Sequence, residues 1–452
     1  MELRARRVLV VGLAKSGEAA AELLLSRGAS VTVNDKRSRE TLGEVATRLQ
    51  HLGAKLALGE HSEALFLAHE LIVVSPGVPR TLPALCAAQA AGIEIIGELE
   101  LASRFLDVPM VAITGTNGKS TTTTFTGHFL HASGKRVFVG GNLGTPLCRA
   151  VDQDPDLVVV EVSSFQLEWA PTFKPKVALI LNITEDHLDR YRDFEDYGQT
   201  KGLIFKNQDE HDFAVVNQAD PFCLRLAQAG RAPVHTFGFG ADVQQGMRML
   251  DEQVQLGSGE HWQPIPVEGF KPRGRHNLEN LMAAFLGAHL AGMPVKTLEP
   301  LIPRLEGLPH RLELVRELDR VRYYNDSKAT NVASVQCSLR DMTEPLVLLM
   351  GGRDKGGSYA PVEPIVSSRV RSLVVFGEAS PLIKAALGHL THLVEVQDVR
   401  EAVMAAQRLA HPGDSVVLSP ACSSYDQFPN YEVRGETFKK LVRALASSQH
   451  NP

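Results

Sequence analysis

Runs of valine, isoleucine and leucine recur along the chain, and each is followed by a glycine-bearing or polar turn and then by a helical pattern of apolar positions. This succession occurs in three separate parts of the sequence, at residues 8–11, 111–114 and 346–350. Short apolar runs that alternate with helices are typical of parallel sheets with crossover helices. The sequence therefore predicts an α/β protein, and its 452 residues correspond to roughly two to four domains.

The first part, residues 1–97, predicts a Rossmann-like domain. Strands are expected at 8–11, 30–34 and 71–74, and a helix at 18–27 follows the turn from Gly12 to Gly17. Such a turn can bind a nucleotide phosphate at the start of its helix. Its spacing is one residue too long for the dinucleotide fingerprint, and Ala14 replaces the second glycine. We therefore expect a nucleotide other than NAD.

The second part, residues 98–306, predicts a central domain with a parallel sheet. It contains expected strands at 156–162 and 177–181, expected helices at 194–205 and 274–291, and a small antiparallel insertion within 238–270.

The third part, residues 307–452, repeats the pattern. Strands are expected at 346–350, 373–376 and 415–418, and a last helix at 435–446. The three parts are joined by short segments, which predicts compact hinges between domains.

The stretch VAITGTNGKSTTTT at residues 111–124 is the most informative. An apolar run, a glycine-bearing turn and a helix start are the context that a phosphate-binding loop requires. Lys119 can reach the outer phosphates of a nucleotide, and the hydroxyl of Ser120 or Thr121 can hold Mg²⁺. Because Ile113 stands where the general pattern has its first glycine, an ordinary strand–helix turn is the alternative.

Polar side chains follow the next two predicted strands. Glu161 ends one of them and is placed to hold Mg²⁺ beside a nucleotide, although an exposed acid at a strand end is the alternative. His187 could ligate a second metal through a neutral ring nitrogen, or be a surface residue. Lys201 lies on the predicted helix at 194–205. A lysine cation is unfavourable beside a metal, and reaction with CO₂ would make it anionic; the sequence leaves both states open.

The third part contributes further cationic and hydroxyl groups. They are found at His310 and Arg311, within 326–331, at Lys355, within 423–426 and at Tyr431. Such groups neutralise and orient carboxylates, which predicts a small anionic substrate.

Composition excludes several classes of protein. A net charge of −5 provides no electrostatic footprint for nucleic acid or an anionic membrane. No stretch reaches the ~18 apolar residues of a membrane helix. The five cysteines are far apart and form no C-x-x-C pair, which favours a reducing compartment. We expect a cytoplasmic protein that binds neither nucleic acid nor membrane.

These motifs together resemble those of the Mur ligases. Besides the phosphate loop, the resemblance is carried by Glu161 with SSFQLE at 163–168, TEDHLDR at 184–190, GRHN at 274–277, LPHR at 308–311 and NDSKATN at 325–331. SPACSSYDQF at 419–428 is most similar to the members that add D-glutamate.

The resemblance implies three domains: a Rossmann-like UDP-binding domain, a central ATPase domain and a C-terminal Rossmann-like domain that binds the amino acid. It implies that ATP phosphorylates the terminal carboxylate of UDP-N-acetylmuramoyl-L-alanine. The amine of D-glutamate then attacks the acyl phosphate, which yields an amide, ADP and phosphate. It also implies two Mg²⁺ ions and a role in peptidoglycan precursor synthesis, and we expect a monomer.

The resemblance assigns roles to individual residues by position. ATP phosphates and adenosine would contact Gly115, Thr116, Asn117, Gly118, Lys119, Ser120, Thr121, Asn277, Asn280, Arg311 and Asp326. The UDP substrate would contact Leu13, Ser16, Gly17, Asp35, Arg37, Ser75, Gly77 and Asn142. D-glutamate would contact Lys328, Thr330, Lys355, Ser424 and Tyr431. Metal would contact Ser120, Glu161, His187 and Lys201, of which Lys201 would be carbamylated; the catalytic residues would be Lys119, His187 and Lys201.

Three alternatives stay open at this point. A sibling ligase could add another amino acid, but the Asp-Asn-Pro-Arg motif of the diamino-acid-adding members is absent. Folylpolyglutamate synthase resembles only the last two domains, and residues 1–97 argue against it. A nucleotide-driven switch would hydrolyse ATP without forming an amide.

Overall fold

The computed structural model describes residues 1–188, 190–272, 274–340 and 342–447. The chain divides into two compact units. The first comprises Met1–Ile183, Glu195–Gly269 and Glu279–Pro303, and the second Thr184–Phe194, Phe270–Leu278 and Arg304–Pro452. The residues described in these units form three sheets, two in the first unit and one in the second.

The first sheet is parallel, with the strand order β3-β2-β1-β4-β5. Its strands are β1 (Arg7–Val11), β2 (Ser30–Asp35), β3 (Lys55–Leu58), β4 (Leu71–Val74) and β5 (Glu94–Gly97). The accompanying helices are α1 (Lys15–Ser26), α2 (Arg39–Leu42), α3 (Glu44–His51), α4 (Glu63–Leu67), α5 (Pro83–Ala90) and α6 (Glu98–Ser103). The expected Rossmann-like arrangement is confirmed.

The predicted start of the first helix at residue 18 is wrong. Helix α1 begins at Lys15, because Gly12 adopts a φ of +86° and reverses the chain immediately after β1. A side chain at Gly12 would be strained in this conformation. The turn is therefore three residues shorter than the sequence suggested.

The second sheet contains nine strands among the described residues, in the order β14-β13-β12-β11-β10-β9-β6-β8-β7. They are β6 (Met110–Thr114), β7 (Val137–Gly141), β8 (Leu157–Glu161), β9 (Val177–Ile180), β10 (Phe213–Asn217), β11 (Val234–Phe239), β12 (Gln245–Leu250), β13 (Gln253–Ser258) and β14 (His261–Ile265). The helices are α7 (Lys119–His131), α8 (Ser164–Leu167), α9 (Phe194–Gly202), α10 (Pro221–Gln228), α11 (Arg275–Leu290) and α12 (Val295–Leu298), with 3₁₀ segments at Leu147–Gln153, Leu203–Phe205 and Glu299–Arg304.

The antiparallel insertion predicted within 238–270 is confirmed. Strand β12 pairs antiparallel with β13, which pairs antiparallel with β14. The structure adds that β12 also pairs in parallel with β11, so the insertion extends the central sheet instead of forming a separate one.

The third sheet has the strand order β15-β16-β20-β17-β18-β19, parallel except for the β15–β16 pair. Its strands are β15 (Glu313–Leu318), β16 (Val321–Asn325), β17 (Leu346–Gly351), β18 (Val370–Phe376), β19 (His392–Glu395) and β20 (Ser415–Leu418). The helices are α13 (Val332–Arg340), α14 (Glu363–Arg369), α15 (Ser380–Leu387), α16 (Val399–Leu409) and α17 (Tyr431–Ala444), with a 3₁₀ segment at Ala360–Val362.

The last helix begins four residues earlier than the predicted start at 435. The Asn430 side chain accepts a hydrogen bond of 2.8 Å from the backbone N–H of Val433 and caps α17. Asparagine is a preferred residue at this position. The sequence analysis did not use this cap signal, and Arg434 in the first turn of the helix is buried.

The two sheets of the first unit share a core. Trp169, which follows α8, packs with Leu9, Phe66 and Leu85 of the first sheet's core. The backbone N–H of Gly97 donates a 2.7 Å hydrogen bond to the Trp169 carbonyl. Burial of a tryptophan of this kind contributes several kcal/mol, so the two sheets are held together by more than their connecting peptide.

Candidate active site

The predicted phosphate loop connects β6 to α7. Gly118 adopts a left-handed conformation, with φ +83°, and α7 starts at the next residue. The Lys119 ammonium donates hydrogen bonds of 2.7 and 2.8 Å to the carbonyls of Gly115 and Thr116. Ser120 is buried in the first turn of the helix. The loop therefore has the compact, amide-rich form that binds phosphates at a helix N-terminus.

Asn182, just past β9, braces this loop. Its side-chain oxygen accepts a 2.8 Å hydrogen bond from Asn117 N–H, and its amide donates to the Asn117 carbonyl at 3.1 Å. The Thr116 N–H donates to the Asn182 carbonyl at 2.9 Å. The sequence analysis did not single out Asn182; its position directly after a strand of the same sheet is the signal that could have found it.

Lys201 and Asn280 also contact the loop region. Lys201 is buried, and its ammonium donates a 3.1 Å hydrogen bond to the Gly115 carbonyl and lies 4.7 Å from the centre of the Tyr197 ring. Asn280 accepts a 3.2 Å hydrogen bond from the Thr122 hydroxyl. The helix predicted at 194–205 is confirmed up to Gly202, after which the chain continues as a 3₁₀ segment.

Glu161 ends β8, which is the neighbour of β6 in the sheet and pairs Glu161 with Ile113. One carboxylate oxygen accepts a 2.7 Å hydrogen bond from the Asn142 side chain. The other oxygen is buried without a hydrogen-bond partner among the described residues. Because a buried carboxylate oxygen is costly to leave unpaired, this atom fits a cation ligand.

The turn after β1 in the first sheet is held by Asp35. The Leu13 N–H donates a 2.7 Å hydrogen bond to Asp35, and the Arg37 guanidinium donates two, at 2.9 and 2.8 Å. Burial would raise the pKa of Asp35, but the hydrogen bonds from Arg37 and Leu13 outweigh it and lower the pKa to about 2. Gly17 has no room for a side chain because a Cβ would overlap the Gly12 carbonyl. Ser75 closes the turn by donating a 2.7 Å hydrogen bond to that same carbonyl.

The remaining predicted UDP contacts lie in the same unit. Ser16 is half-buried in the first turn of α1, and Gly77 follows β4 in a turn. The carboxyl ends of β1, β2 and β4 thus carry these candidates, where ligands of open parallel sheets usually bind. Asn142 instead follows β7 of the second sheet and contacts Glu161.

The second unit contains His187. His187 has a φ of +55°, a conformation rare for residues other than glycine, and its N–H donates a 3.0 Å hydrogen bond to the Asp186 carboxylate. The same carboxylate accepts a 3.3 Å hydrogen bond from Asn331 and lies 3.9 Å from the Lys355 ammonium. Asp189 of the same motif lies outside the described residues.

The predicted amino-acid contacts cluster at the carboxyl ends of β16, β17 and β20. The Lys328 ammonium donates a 2.9 Å hydrogen bond to the Tyr431 hydroxyl, and Lys355 donates to Thr330 at 3.4 Å. Ser424 is buried in the loop after β20. The two ammonium groups and three hydroxyls of this set suit a dianionic ligand.

A cavity of about 530 Å³ lies in the second unit, and Asn277 and Arg311 line it together with Lys271 and Tyr324. Asp326 is buried behind this region and accepts hydrogen bonds from the Leu312 N–H at 3.1 Å and the Ser419 hydroxyl at 2.7 Å.

Burial raises the pKa of Asp326 to about 6. Two of the four predicted adenosine contacts, Asn277 and Arg311, thus line one cavity. Asp326 supports the wall of that cavity through its hydrogen bond to Leu312, whereas Asn280 belongs to the first unit.

Within the part of the chain that the structure describes, no three His, Cys, Asp or Glu residues group closely enough to hold a metal ion. Mg²⁺ in nucleotide sites is held by one or two carboxylates, waters and the phosphates themselves. Glu161 is consistent with that kind of site.

Three family models cover most of the chain. "Mur ligase MurD-like, N-terminal domain" matches residues 6–97, "Mur ligase middle domain" matches 113–288, and "Mur ligase, glutamate ligase domain" matches 310–422. A protein of Geobacter metallireducens named UDP-N-acetylmuramoylalanine–D-glutamate ligase is 46% identical over 99% of this chain and 100% of its own length. The chain belongs to the Mur ligase family.

Solved structures agree with the Mur ligase fold. A pseudomurein peptide ligase type C from Methanothermus fervidus aligns with a TM-score of 0.62 and 19% identity, over 97% of this chain and 99% of that chain. A MurF ligase from Thermotoga maritima in complex with ADP aligns with a TM-score of 0.59 and 18% identity, over 98% and 97%. The predicted three-domain α/β fold and the predicted family are confirmed.

None of the helices in the described segments of this Mur ligase combines the length and the apolar composition that a membrane span requires.

Proposed function

We propose that this Mur ligase joins D-glutamate to UDP-N-acetylmuramoyl-L-alanine at the expense of ATP. The observation that carries the proposal is the 46% identity, over the full length of both chains, to the Geobacter protein of that name. The proposed reaction belongs to cytoplasmic synthesis of peptidoglycan precursors.

The proposed chemistry has two steps. The substrate carboxylate attacks the γ-phosphorus of ATP, the bond to ADP breaks, and an acyl phosphate forms. The amine of D-glutamate then attacks the acyl carbon, phosphate leaves with its oxygen, and the nitrogen loses a proton. Phosphorylation is needed because oxide is a poor leaving group from a carboxylate.

In this proposal the loop at Gly115, Thr116, Asn117 and Gly118 binds the phosphates through backbone N–H groups, and Lys119 turns from the loop carbonyls toward the γ-phosphate. Ser120, Thr121, Glu161 and His187 are the candidate ligands for Mg²⁺. Bound Mg²⁺ offsets the repulsion between the triphosphate and the attacking carboxylate. The unpaired oxygen of Glu161 supports its inclusion.

The other candidate contacts keep the roles that the resemblance implies. We propose that Leu13, Ser16, Gly17, Asp35, Arg37, Ser75, Gly77 and Asn142 contact the UDP substrate. We propose that Asn277, Asn280, Arg311 and Asp326 serve adenosine, and that Lys328, Thr330, Lys355, Ser424 and Tyr431 serve D-glutamate. The domain boundaries 1–97, 98–306 and 307–452 stay predictions.

Carbamylation of Lys201, and with it a second Mg²⁺, is a separate proposal. Lys201 is buried beside the Gly115 carbonyl, where a carbamate would supply an anion next to the phosphate loop. We expect Lys201→Ala to lose most activity and to recover part of it when short carboxylic acids are added. A high-resolution electron-density map at Lys201 provides a second measurement. Absence of rescue, together with an unmodified lysine, would contradict carbamylation.

The decisive experiment measures phosphate release and amide formation with a panel of amino acids, in the presence and absence of UDP-N-acetylmuramoyl-L-alanine. We expect product only with that nucleotide and D-glutamate. Product with a different amino acid would indicate a sibling ligase. Phosphate release without any amide product would indicate a nucleotide-driven switch.

A further inference from the structure

Arg434 is the largest fully buried side chain of the described protein, with 0% exposure. It lies in the first turn of α17, and the sequence analysis gave it no role. Its guanidinium donates to the Ser327 hydroxyl at 2.9 Å and to the Ser327 carbonyl at 2.8 Å. It also donates to the carbonyls of Cys422, at 3.2 Å from both terminal nitrogens, of Ser423 at 3.3 Å and of Gly351 at 3.4 Å.

These acceptors are backbone carbonyls and one hydroxyl. A buried guanidinium is expensive to desolvate, and neutral acceptors compensate it less than a carboxylate does. Burial lowers the pKa of Arg434 to about 10, so the group is still a cation at neutral pH. Replacing buried charged groups by well-packed apolar residues is often neutral or stabilising, so core stability alone does not explain a guanidinium at this position.

The acceptors belong to three different loops, each at the carboxyl end of a strand in the third sheet. Ser327 follows β16 and directly precedes Lys328. Gly351 ends β17 and opens the glycine loop that carries Lys355, and Cys422 and Ser423 follow β20 and directly precede Ser424. Arg434 therefore ties together the backbone of the three segments that carry these side chains.

The fourth element of the cluster is α17 itself, which carries Tyr431 three residues before Arg434. The Ser327 hydroxyl donates a 2.9 Å hydrogen bond to the Tyr431 carbonyl, and Lys328 donates to the Tyr431 hydroxyl. The planar fork of a guanidinium can bond several acceptors in fixed directions, which a lysine cannot do.

We propose that Arg434 is a positioning residue for the amino-acid substrate, a dicarboxylate. It acts by fixing the backbone that carries Lys328, Lys355 and Ser424, and it does not itself contact the substrate. This inference rests on the proposed function of the same site.

The test compares Michaelis constants for all three substrates in Arg434→Ala and Arg434→Lys. We expect the KM for D-glutamate to rise about ten- to hundredfold in Arg434→Ala, the range that loss of one hydrogen bond between charged groups produces. The KM values for ATP and the UDP substrate should stay within about twofold. Guanidinium ion, added at concentrations that leave the wild type unaffected, should restore part of the affinity for D-glutamate in Arg434→Ala.

Arg316→Ala is the matched control. The Arg316 guanidinium also donates to backbone carbonyls, those of Val442 and Arg443 in α17 and of Leu445 directly after it, but at the opposite end of the helix. A merely structural loss of helix docking would affect both variants, whereas positioning affects only Arg434→Ala. If Arg434→Ala does not fold, Arg434→Lys keeps the charge without the fork, and a smaller rise in the same KM is expected.

The outcomes separate the two proposals. If the wild type forms no product with D-glutamate, the proposed function fails. If the wild type does form product, an unchanged KM for D-glutamate in the folded Arg434 variants overturns the positioning role. Equal rises in the KM values of all three substrates, or the same rise in Arg316→Ala, also overturn it.

Discussion

The phosphate loop depends on a glycine at a position that has no room for a side chain, as well as on its polar groups. Gly118 has a φ of +83°, and a Cβ added there would overlap the side-chain oxygen of Asn280. Gly134 has a similar φ of +74° but no atom within 4 Å of an added Cβ. The two glycines therefore differ in crowding at nearly the same backbone conformation.

We predict that Gly118→Ala weakens ATP binding and Gly134→Ala does not. Both changes carry the ~1–2 kcal/mol strain of a left-handed alanine, but only the first displaces Asn280 and the start of α7. Titration calorimetry with ADP measures the difference, which we expect to be about tenfold or more in the dissociation constant. Equal affinities in the two variants would show that the contact with Asn280 does not matter for the loop.

Lys119 is the side chain of the loop with the most direct predicted role in chemistry. Loss of one such charge-stabilising group typically costs ~10²–10³ in rate, and we expect that loss or more for Lys119→Ala in amide formation. Lys135→Ala changes an exposed lysine and serves as the control. Near-normal amide synthesis by Lys119→Ala would reject the assignment.

The elements of the first unit meet at a buried carboxyl. Glu98, at the start of α6, accepts a 2.6 Å hydrogen bond from the N–H of Cys148 in the 3₁₀ segment Leu147–Gln153. Its other oxygen is buried with no partner within the described chain. Burial raises the pKa of Glu98 to about 7. Burial also raises the pKa of the Cys148 thiol well above its ordinary value, so the thiol stays neutral beside it.

This carboxyl makes the stability of the first unit depend on pH. Because the folded-state pKa is raised, the native protein retains a proton that the unfolded chain loses near pH 4.5. The stabilisation is full below that pH and is lost as the pH rises to about 7. A shift of this size corresponds to about 3 kcal/mol.

We predict that Glu98→Gln removes this part of the pH dependence, because the amide keeps an acceptor for Cys148 without a charge. Urea unfolding at pH 5 and pH 8, followed by tryptophan fluorescence, measures it. Both tryptophans, Trp169 and Trp262, lie in the first unit. Glu210→Gln is the control. It changes an exposed side chain and should leave the change in unfolding free energy between pH 5 and pH 8 as it is in the wild type. If the stability of Glu98→Gln depends on pH as steeply as that of the wild type, groups other than Glu98 cause the dependence.

Some strands could be predicted from the sequence and others could not. Strands β4 and β20 have the predicted bounds, because an apolar run bounded by polar residues marks a buried parallel strand. Strands β3 and β19 were not predicted, since both lie at sheet edges with half-exposed, mixed side chains. Their pairing partners, and not their own composition, make them strands.

At the scale of the whole molecule, each sheet presents a different group of candidate residues at the carboxyl ends of its strands. The first sheet carries the turn of Leu13 and Asp35, the second carries the phosphate loop, and the third carries Lys328 and Ser424. Because the candidate sites lie on separate sheets, we expect a substitution in one site to weaken binding of one substrate and to leave binding of the others unchanged.

We predict that Arg37→Ala weakens binding of UDP but not of ADP, and that Lys119→Ala does the reverse. Hydrogen bonds to charged groups contribute about 1.5–3 kcal/mol, which is roughly ten- to hundredfold in a dissociation constant. Titration of each variant with each nucleotide provides the measurement. A change that weakens both nucleotides to the same extent would contradict the assignment of the two sites to different sheets.

The sequence by itself determined the α/β class, the three-part order and the phosphate loop. These depend on neighbours along the chain: an apolar run, a glycine that permits a left-handed turn, and a lysine at the following helix start. The family resemblance also came from such local motifs.

Only the tertiary structure decided that Asn182 braces the loop, that Glu98 is buried against Cys148 and that Arg434 ties three loops together. The partners of Arg434 lie as far as 107 residues away in the chain. Whether a polar side chain is buried depends on which distant segments surround it, and no local spacing of residues specifies that. Contacts of this range form only when the sheets assemble.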